Sequence, residues 1–181
     1  TGTLITSDKP IAYFTTNSCV NVPQGAAACD CLFQQQVPVH SWGSTFLVPV
    51  TRRGKERIRV VASQDGTTIT QTGATIISSP GTGSLVNLKA GQFVELEAVL
   101  SAGGCYIQSD KPVAVASFLT GTTYSGLSYA LGDPAMAWVP PIEQTVMNVA
   151  LAPFVATGTS VLKEHHALIV TPTATREATT M

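Results

Sequence analysis

Two stretches of this 181-residue chain carry nearly the same phrase, ITSDKPIAYF at positions 5–14 and IQSDKPVAVA at positions 107–116. An apolar, β-rich run follows Ser-Asp-Lys-Pro in each copy, and the proline fixes φ and removes a backbone donor. Asp and Lys before the proline suit a turn. The repeated phrase therefore predicts a strand, a tight corner and a second strand at both places.

The likeness continues beyond the first phrase, in the same order and at a spacing of about 100 residues. QQVPVHSW (35–42) resembles VPPIEQTV (139–146), FLVPV (46–50) resembles VALAPF (149–154), and IRVVAS (58–63) resembles ALIVTP (167–172). Ordered similarity at a fixed spacing indicates an internal duplication. We interpret residues 1–100 as the first β unit and residues 101–181 as a second, shorter copy, with the two units able to pack as a single domain.

The composition favours β structure. Hydrophobic residues make up 44% of the chain and charged residues only 12%, and the abundant Thr and Val pack well on pleated surfaces. No segment carries a long apolar stripe of helical period. We predict an all-β sandwich built from the duplicated unit, with at most one short helix, for which CDCLFQQQ (29–36) is the candidate.

Several side chains have predicted places on this scaffold. GQFVELEAVL (91–100) alternates as a strand does, with Glu95 and Glu97 on a wet face. Arg57 and Arg59 flank Ile58 and would form the wet face of another strand. Trp42 and Trp138 lie beside the repeated proline segments, and we expect them to anchor the two copies of the core.

The charge and the termini exclude some classes of protein. The formal net charge is −1, which gives no global attraction to nucleic acid or to an anionic membrane. No apolar run approaches the roughly 18 residues of a membrane span, so neither nucleic acid nor membrane insertion is expected. TGTLITSDKP does not have the features of a signal peptide. We therefore interpret the N-terminus as the start of a mature protein or of an excised fragment of a larger exported protein, whose export is specified elsewhere.

Four cysteines, at 19, 29, 31 and 105, point to disulfides and an oxidising compartment. A zinc site is disfavoured because Cys29 and Cys31 give only C-x-C, with no second C-x₂-C. No metal or other cofactor is expected. We favour Cys19–Cys29 with Cys31–Cys105 among the three possible connectivities, although the sequence alone leaves the other two open.

A longer pattern resembles the family of the IgG Fc-binding protein N-terminal domain, which also occurs in bacterial surface proteins. The family has a Ser-x-x-Pro-Val-Ala corner, a cysteine soon afterwards, Cys-Asp/Asn-His-Leu, Glu-Gln-x-x-Pro, and Trp-Gly before a Val-Pro strand. These features fall at Ser7–Ala12, Cys19, Cys29–Leu32, Gln34–Pro38, Trp42–Gly43 and Val48–Pro49, and GDPAMAWVPPIEQ (132–144) matches a later segment. The resemblance implies an extracellular or cell-surface location.

This chain departs from the family pattern at two cysteines. Cys31 stands where the family usually has His, and Cys105 is an addition. Two extra cysteines that occur together favour a mutual bridge, which agrees with the pairing Cys31–Cys105. Fc binding is attributed to one mammalian member, and no short motif here carries that activity.

Candidates for catalysis are weak. His40 adjoins Ser41, and Asp30 could orient it, but adjacent side chains on an extended chain diverge. His165 and His166 in KEHH would face opposite sides of a strand and chelate poorly, so a solvated turn is favoured there. No nucleophile-elbow, phosphate-loop or zinc-protease motif is present in the sequence. We therefore predict that the protein is not an enzyme.

Two segments are candidates for binding. The basic run RRGKERIR (52–59) offers Arg52, Arg53 and Arg57 to acidic glycans, although a polar hairpin tip is the simpler interpretation. TGTTYSGLSYALGDP (120–134) carries Tyr124 and Tyr129, whose rings either contact a partner or pack onto the sandwich.

Together these features predict a non-catalytic recognition or adhesion module that binds a glycan or glycoprotein on a cell or mucosal surface. The alternative is a structural tile or spacer of a surface fibre or appendage, whose partners are copies of itself. A homo-oligomer is compatible with both functions, because an unpaired strand edge attracts another chain.

Overall fold

The protein is all-β, as the composition predicts. The computed structural model describes residues 1–51, 54–78, 82–99, 104–126, 133–150, 168–171 and 174. The strands within these ranges are β1 Phe14–Val20, β2 Asp30–Gln35, β3 Gly43–Val48, β4 Lys55–Ala62, β5 Ile69–Thr72, β6 Ala74–Ile77, β7 Phe93–Val99, β8 Cys105–Leu119 and β9 Ala135–Val139. One short helix, α1, spans Thr122–Ser125, and 3₁₀ turns lie at Val39–Ser41 and Ile142–Gln144. None of the described helices has the length and apolarity needed to cross a membrane.

The strands form two antiparallel sheets. β1 and β2 pair only with each other, in a two-stranded sheet that we call the hairpin sheet. The other seven strands form a large sheet in the order β3-β8-β4-β7-β6, and β5 and β9 also pair with β8. β8 therefore has four partners, so it organises the large sheet.

β8 exchanges its partners at the repeated Ser-Asp-Lys-Pro phrase. Residues 105–109 pair with β3 and β5, whereas residues 113–119 pair with β4 and β9, and Val113 also pairs with Gly43 of β3. The register against β3 shifts between these halves, and the Ser109 hydroxyl donates to the Lys111 carbonyl at 2.7 Å. The second copy of the phrase thus lies inside one continuous strand, Cys105–Leu119, so the predicted tight corner is absent and only the register against β3 shifts there.

The first copy of the phrase folds differently. Residues 1–13 belong to no strand and are exposed, and β1 begins only at Phe14. The incoming strand expected around Ile5 is therefore absent, because no neighbouring strand pairs with this segment. Pro38 and Pro141, by contrast, have nearly the same conformation (φ −68°, ψ 147° and φ −68°, ψ 158°), and each precedes a 3₁₀ turn. The duplication itself stays a prediction.

One hydrophobic core contains residues from both sides of position 100. Ile58 on β4 and Leu96 on β7 pack in the same buried cluster as Ile107, Val113 and Val115 on β8. β7 has the predicted alternation, with its even-numbered residues buried and Glu95 and Glu97 on the opposite face. The two predicted units thus share their apolar interior.

The predicted helix at 29–36 is wrong, because residues 30–35 form β2. They pair with β1 in the register Phe14↔Gln35 and Thr16↔Phe33. Leu32 and Gln34 are half-buried, whereas Phe33 on the other face is exposed. A short run rich in apolar and amide side chains fits either structure locally, and pairing with β1 decides in favour of the strand.

The two tryptophans do not anchor the core. Neither Trp42 nor Trp138 belongs to the buried cluster, and both are half-buried. Their indole N–H groups donate to the backbone carbonyls of Val37 and Gln35, at 3.5 and 3.1 Å. An indole needs a partner for its N–H group, and these carbonyls lie where β2 ends. Trp138, on β9, thereby joins the large sheet to the hairpin sheet.

One of the two favoured disulfides is present. Cys19 and Cys29 are bonded and close the loop between β1 and β2. The predicted bridge Cys31–Cys105 is wrong, because both cysteines are free. Cys31 is exposed on the hairpin sheet, whereas Cys105 is buried opposite Val48 at the start of β8. Cys31 and Cys105 both depart from the family pattern, yet they are not bonded to each other, so their joint departure was not evidence of a bridge.

Ile107→Ala tests the role of β8. Ile107 is fully buried (0% exposed), whereas Ile76 on β6 is 54% exposed. We expect Ile107→Ala to lower the free energy of unfolding by about 2–5 kcal/mol, because it removes buried methyl groups and leaves a cavity. The matched change Ile76→Ala should cost no more than about 0.5 kcal/mol. Equal effects in urea unfolding would contradict the assigned core.

Maleimide labelling tests the cysteine assignment. Burial raises the pKa of the Cys105 thiol to about 11, so this thiol is scarcely ionised at about pH 8. Cys105 is also shielded from the reagent, whereas Cys31 is exposed. Mass spectrometry should find one label on the native protein, and a second only after unfolding without reductant. Cys31→Ser should remove the first label. Absence of both labels in denaturant would instead establish two bridges.

Candidate functional site

A charged ladder covers the outer face of β4 and β7. Arg57 lies opposite Glu97, and Arg59 lies opposite Glu95. The Arg57 guanidinium is 3.7 Å from the Glu95 carboxylate and 3.9 Å from that of Glu97, while Arg59 binds Glu95 directly. These side chains are half-buried, so the expected wet face is largely covered and its charges neutralise one another.

Tyr124 on α1 closes one end of this ladder. Its ring lies 5.1 Å from the Lys55 ammonium and 5.0 Å from the Arg57 guanidinium. Its hydroxyl accepts a hydrogen bond from Arg57 at 2.8 Å and donates one to Glu97. Burial, followed by the hydrogen bond to Glu97, raises the pKa of Tyr124 above its ordinary value. The phenol therefore keeps its proton and stays a donor to Glu97.

The structure thus brings together two of the predicted binding residues, Tyr124 and Arg57, and bonds them to each other. Their role in binding a partner stays a prediction. The remaining candidates, Tyr129, Arg52 and Arg53, lie outside the described residues, as do His165 and His166.

The residues considered for hydrolysis are not assembled. The Ser41 hydroxyl donates to the Pro38 carbonyl at 2.8 Å. Asp30 accepts a hydrogen bond from the backbone N–H of Cys31 at 2.7 Å, and His40 is exposed in the 3₁₀ turn. A nucleophile and its base need a direct hydrogen bond, and none joins these three side chains. No cluster of potential metal ligands occurs within the described ranges.

An exposed aromatic pair lies on the hairpin sheet. The rings of Phe14 on β1 and Phe33 on β2 are stacked with centroids 5.4 Å apart and an interplanar angle of 20°. Phe33 pairs with Thr16, so the two rings are diagonal cross-strand neighbours. They are 47% and 64% exposed. Large aromatic rings held in contact at a surface are characteristic of docking sites.

The base of the hairpin sheet is firmly held. The Cys19–Cys29 disulfide closes the loop, and the Gly121 N–H donates to the Val22 carbonyl at 2.7 Å. The Ala27 N–H donates to the Thr123 hydroxyl, also at 2.7 Å. A Cβ on Gly121 would lie 2.3 Å from the Ala27 carbonyl oxygen, so only glycine allows this approach. The disulfide loop is thereby docked onto the turn that begins α1.

A cleft of about 400 Å³ lies between β2 and β9. Gln34, Gln35 and Gln36 line one side and Trp138 lines the other. The Gln36 amide is engaged with the Thr15 hydroxyl at 2.6 Å, whereas Gln35 is exposed. The cleft therefore offers an indole beside polar amide groups.

The sequence prediction missed both the aromatic pair and this cleft. The sequence predicts a repeated strand for Phe14 and a helix for Phe33, and neither prediction brings the two rings together. If CDCLFQQQ is instead predicted to be a strand, side-chain alternation places Phe33 on one face and Gln34 and Gln36 on the other.

Fold and surface define a disulfide-stapled all-β module that presents an aromatic pair on a small sheet of its own. The whole chain, residues 1–181, matches the family described as IgGFc binding protein, and the chain belongs to that family. The resemblance recognised from the sequence motifs is thus confirmed.

A human relative, "IgGFc-binding protein", is 25% identical over 142 residues. The match covers 78% of this chain but only 2% of that protein's length. No solved structure gives a significant match. These comparisons do not support the bacterial surface-protein context that was part of the expectation.

Tyr124→Phe tests the capped ladder. Loss of hydrogen bonds to two charged groups should lower the free energy of unfolding by about 1–3 kcal/mol near neutral pH. Since the pKa of Tyr124 is raised in the folded protein, its contribution is present below the unfolded value of about 10 and is lost as pH rises through the folded value. The free energy of unfolding, measured with urea at pH 7 and above pH 10, should therefore fall less at alkaline pH for Tyr124→Phe than for the wild type.

The matched control is Tyr106→Phe, because Tyr106 is an exposed ring on β8. This change should leave the free energy of unfolding within about 0.5 kcal/mol of wild type. Indistinguishable effects of the two substitutions would contradict the bonded position of Tyr124.

Proposed function

We propose that this chain is a non-catalytic extracellular recognition module that binds a glycoprotein through its hairpin sheet. The exposed Phe14–Phe33 stack is the observation that carries the proposal. Membership of the IgGFc-binding family supports a protein-binding role. The disulfide supports an oxidising compartment.

The aromatic pair is suited to protein contact for a physical reason. Each phenyl ring leaves apolar area in water, and its removal on binding yields about 25 cal/mol for each Å² buried. The strands and the disulfide loop already hold the backbone beneath the rings, so little conformational entropy is lost on docking. Ordered aromatic anchors of this kind dominate the affinity of many interfaces.

The cleft between β2 and β9 suits the sugar part of a glycoprotein. An indole offers an apolar face to the C–H side of a sugar ring, and amides bind hydroxyl groups as donors and acceptors. Trp138 and Gln35 lie there together, close to the strand that carries Phe33. Protein and sugar parts of one ligand would then meet adjacent surfaces.

A second candidate function is self-association as a structural tile. Val146, Met147 and Val149 are large apolar side chains that are mostly exposed. Exposed apolar segments promote contact between copies. A discrete oligomer in light scattering that does not bind glycoproteins would favour this alternative, whereas a monomer that binds would favour recognition.

Phe33→Ser tests the recognition surface against a panel of immobilised mucin-type glycoproteins and IgG Fc, chosen because the human relative is named for Fc binding. We expect about ten-fold or greater loss of affinity, since an interface anchor contributes roughly 2 kcal/mol or more. Ile76→Ser, at another exposed strand position, should retain wild-type affinity. Surface plasmon resonance provides the measurement.

Enzymatic deglycosylation of the same ligands separates the protein and sugar contributions. Weaker binding after deglycosylation would place part of the contact on the glycan. Equal affinity of Phe33→Ser and Ile76→Ser for a bound ligand would disprove the proposed surface, provided that both variants keep the wild-type circular dichroism.

A further inference from the structure

A second surface feature is a groove of about 420 Å³, which shares Ala137 and Trp138 with the cleft between β2 and β9. Leu47 and Pro49 line it on one side, and Leu119, Met136 and Val139 line it on the other. Ile142, Leu168 and Val170 are also exposed apolar side chains along it. Its volume lies in the range of sites that hold small ligands or side chains.

A carboxylate lies in this apolar groove. Glu56 on β4 lines it although only 2% of the residue is exposed. One carboxylate oxygen accepts the Thr51 N–H at 2.6 Å, and the other accepts the Ser117 hydroxyl at 3.1 Å. A carboxylate can accept about four hydrogen bonds. Glu56 is therefore fixed in position and still has acceptor capacity.

No cation within the described ranges neutralises Glu56. The ion pairs of these ranges join Lys55, Arg57 and Arg59 to Glu95 and Glu97 instead. Side chains alternate along a strand, so the basic residues of β4 lie on the face opposite Glu56. Buried carboxylates are rare unless they are paired, so Glu56 is suited to receive a cation that enters the groove.

We propose that the groove binds a lysine side chain of a partner protein. Its aliphatic stem would lie along Leu119 and Val139, and its ammonium group would reach Glu56. An ammonium can donate three hydrogen bonds, and a bond to a carboxylate in an apolar setting is stronger than one in water. The apolar walls of the groove and the carboxylate of Glu56 thus favour a ligand that carries a cation at the end of a flexible hydrocarbon chain.

Hexylammonium is a simple probe for this chemistry, with 1-hexanol as the uncharged probe of similar length. In NMR titrations of the wild-type chain, hexylammonium should shift the amide resonances of Glu56 and Ser117 at concentrations about ten-fold lower than hexanol. Glu56→Gln should remove that preference while it leaves hexanol binding unchanged. Equal binding of the two probes by the wild-type protein would overturn the proposal.

Leu119 provides a test that does not remove the buried carboxylate. It lies directly opposite Glu56 in the β4–β8 register and is partly exposed. Leu119→Lys supplies an ammonium from within the chain and should weaken hexylammonium binding about ten-fold or more by competition, whereas Leu119→Met should not. Unchanged binding by Leu119→Lys would also overturn the proposal. Phe33→Ser should bind hexylammonium normally, so this site and the glycoprotein surface are tested separately.

Discussion

The fold depends on the backbone hydrogen bonds of β8. A strand within a sheet must satisfy N–H and C=O groups along both edges, and β8 does so over 15 residues with four neighbours. Pro112 has no N–H group, and its carbonyl accepts the Ser63 N–H at 3.2 Å, just beyond β4. β8 runs unbroken through this proline, with β5 and most of β3 paired before it and β4 and β9 paired after it.

β4 separates two electrostatic environments. On one face Arg57 and Arg59 meet the carboxylates of β7, and Tyr124 covers the pairs. On the other face Ile58 and Val60 enter the core, and Glu56 ends the row. The net charge of −1 does not reveal this division, in which Lys55, Arg57 and Arg59 of β4 pair with carboxylates of β7 while Glu56 of β4 lies on the opposite face.

Strand periodicity could be predicted from the sequence, as β7 illustrates, whereas the corner predicted at the second Ser-Asp-Lys-Pro is part of the continuous strand β8. The position of Phe33 could not be predicted, because a short run such as 29–36 fits a helix or a strand until β1 is placed beside it. Cysteine pairing depends on the same tertiary information, since Cys31 and Cys105 lie on different sheets. The cavity at Glu56 is equally invisible in the sequence, because Leu47, Ser117 and Val139 come from three distant segments. The local sequence predicts individual strands, whereas a site built from strands that are distant in the sequence can be found only in the folded structure.

The separate strand pairing of the hairpin sheet has an evolutionary consequence. In the part of the chain that the structure describes, β1 and β2 share no ladder with the other seven strands, and a covalent bond closes their connecting loop. Residues on the outward face, such as Phe14 and Phe33, can therefore diversify without altering the register of any strand that supports the interior. Related chains with one common framework could acquire different ligand preferences in this way, as antibodies do by varying their loops while the framework is kept.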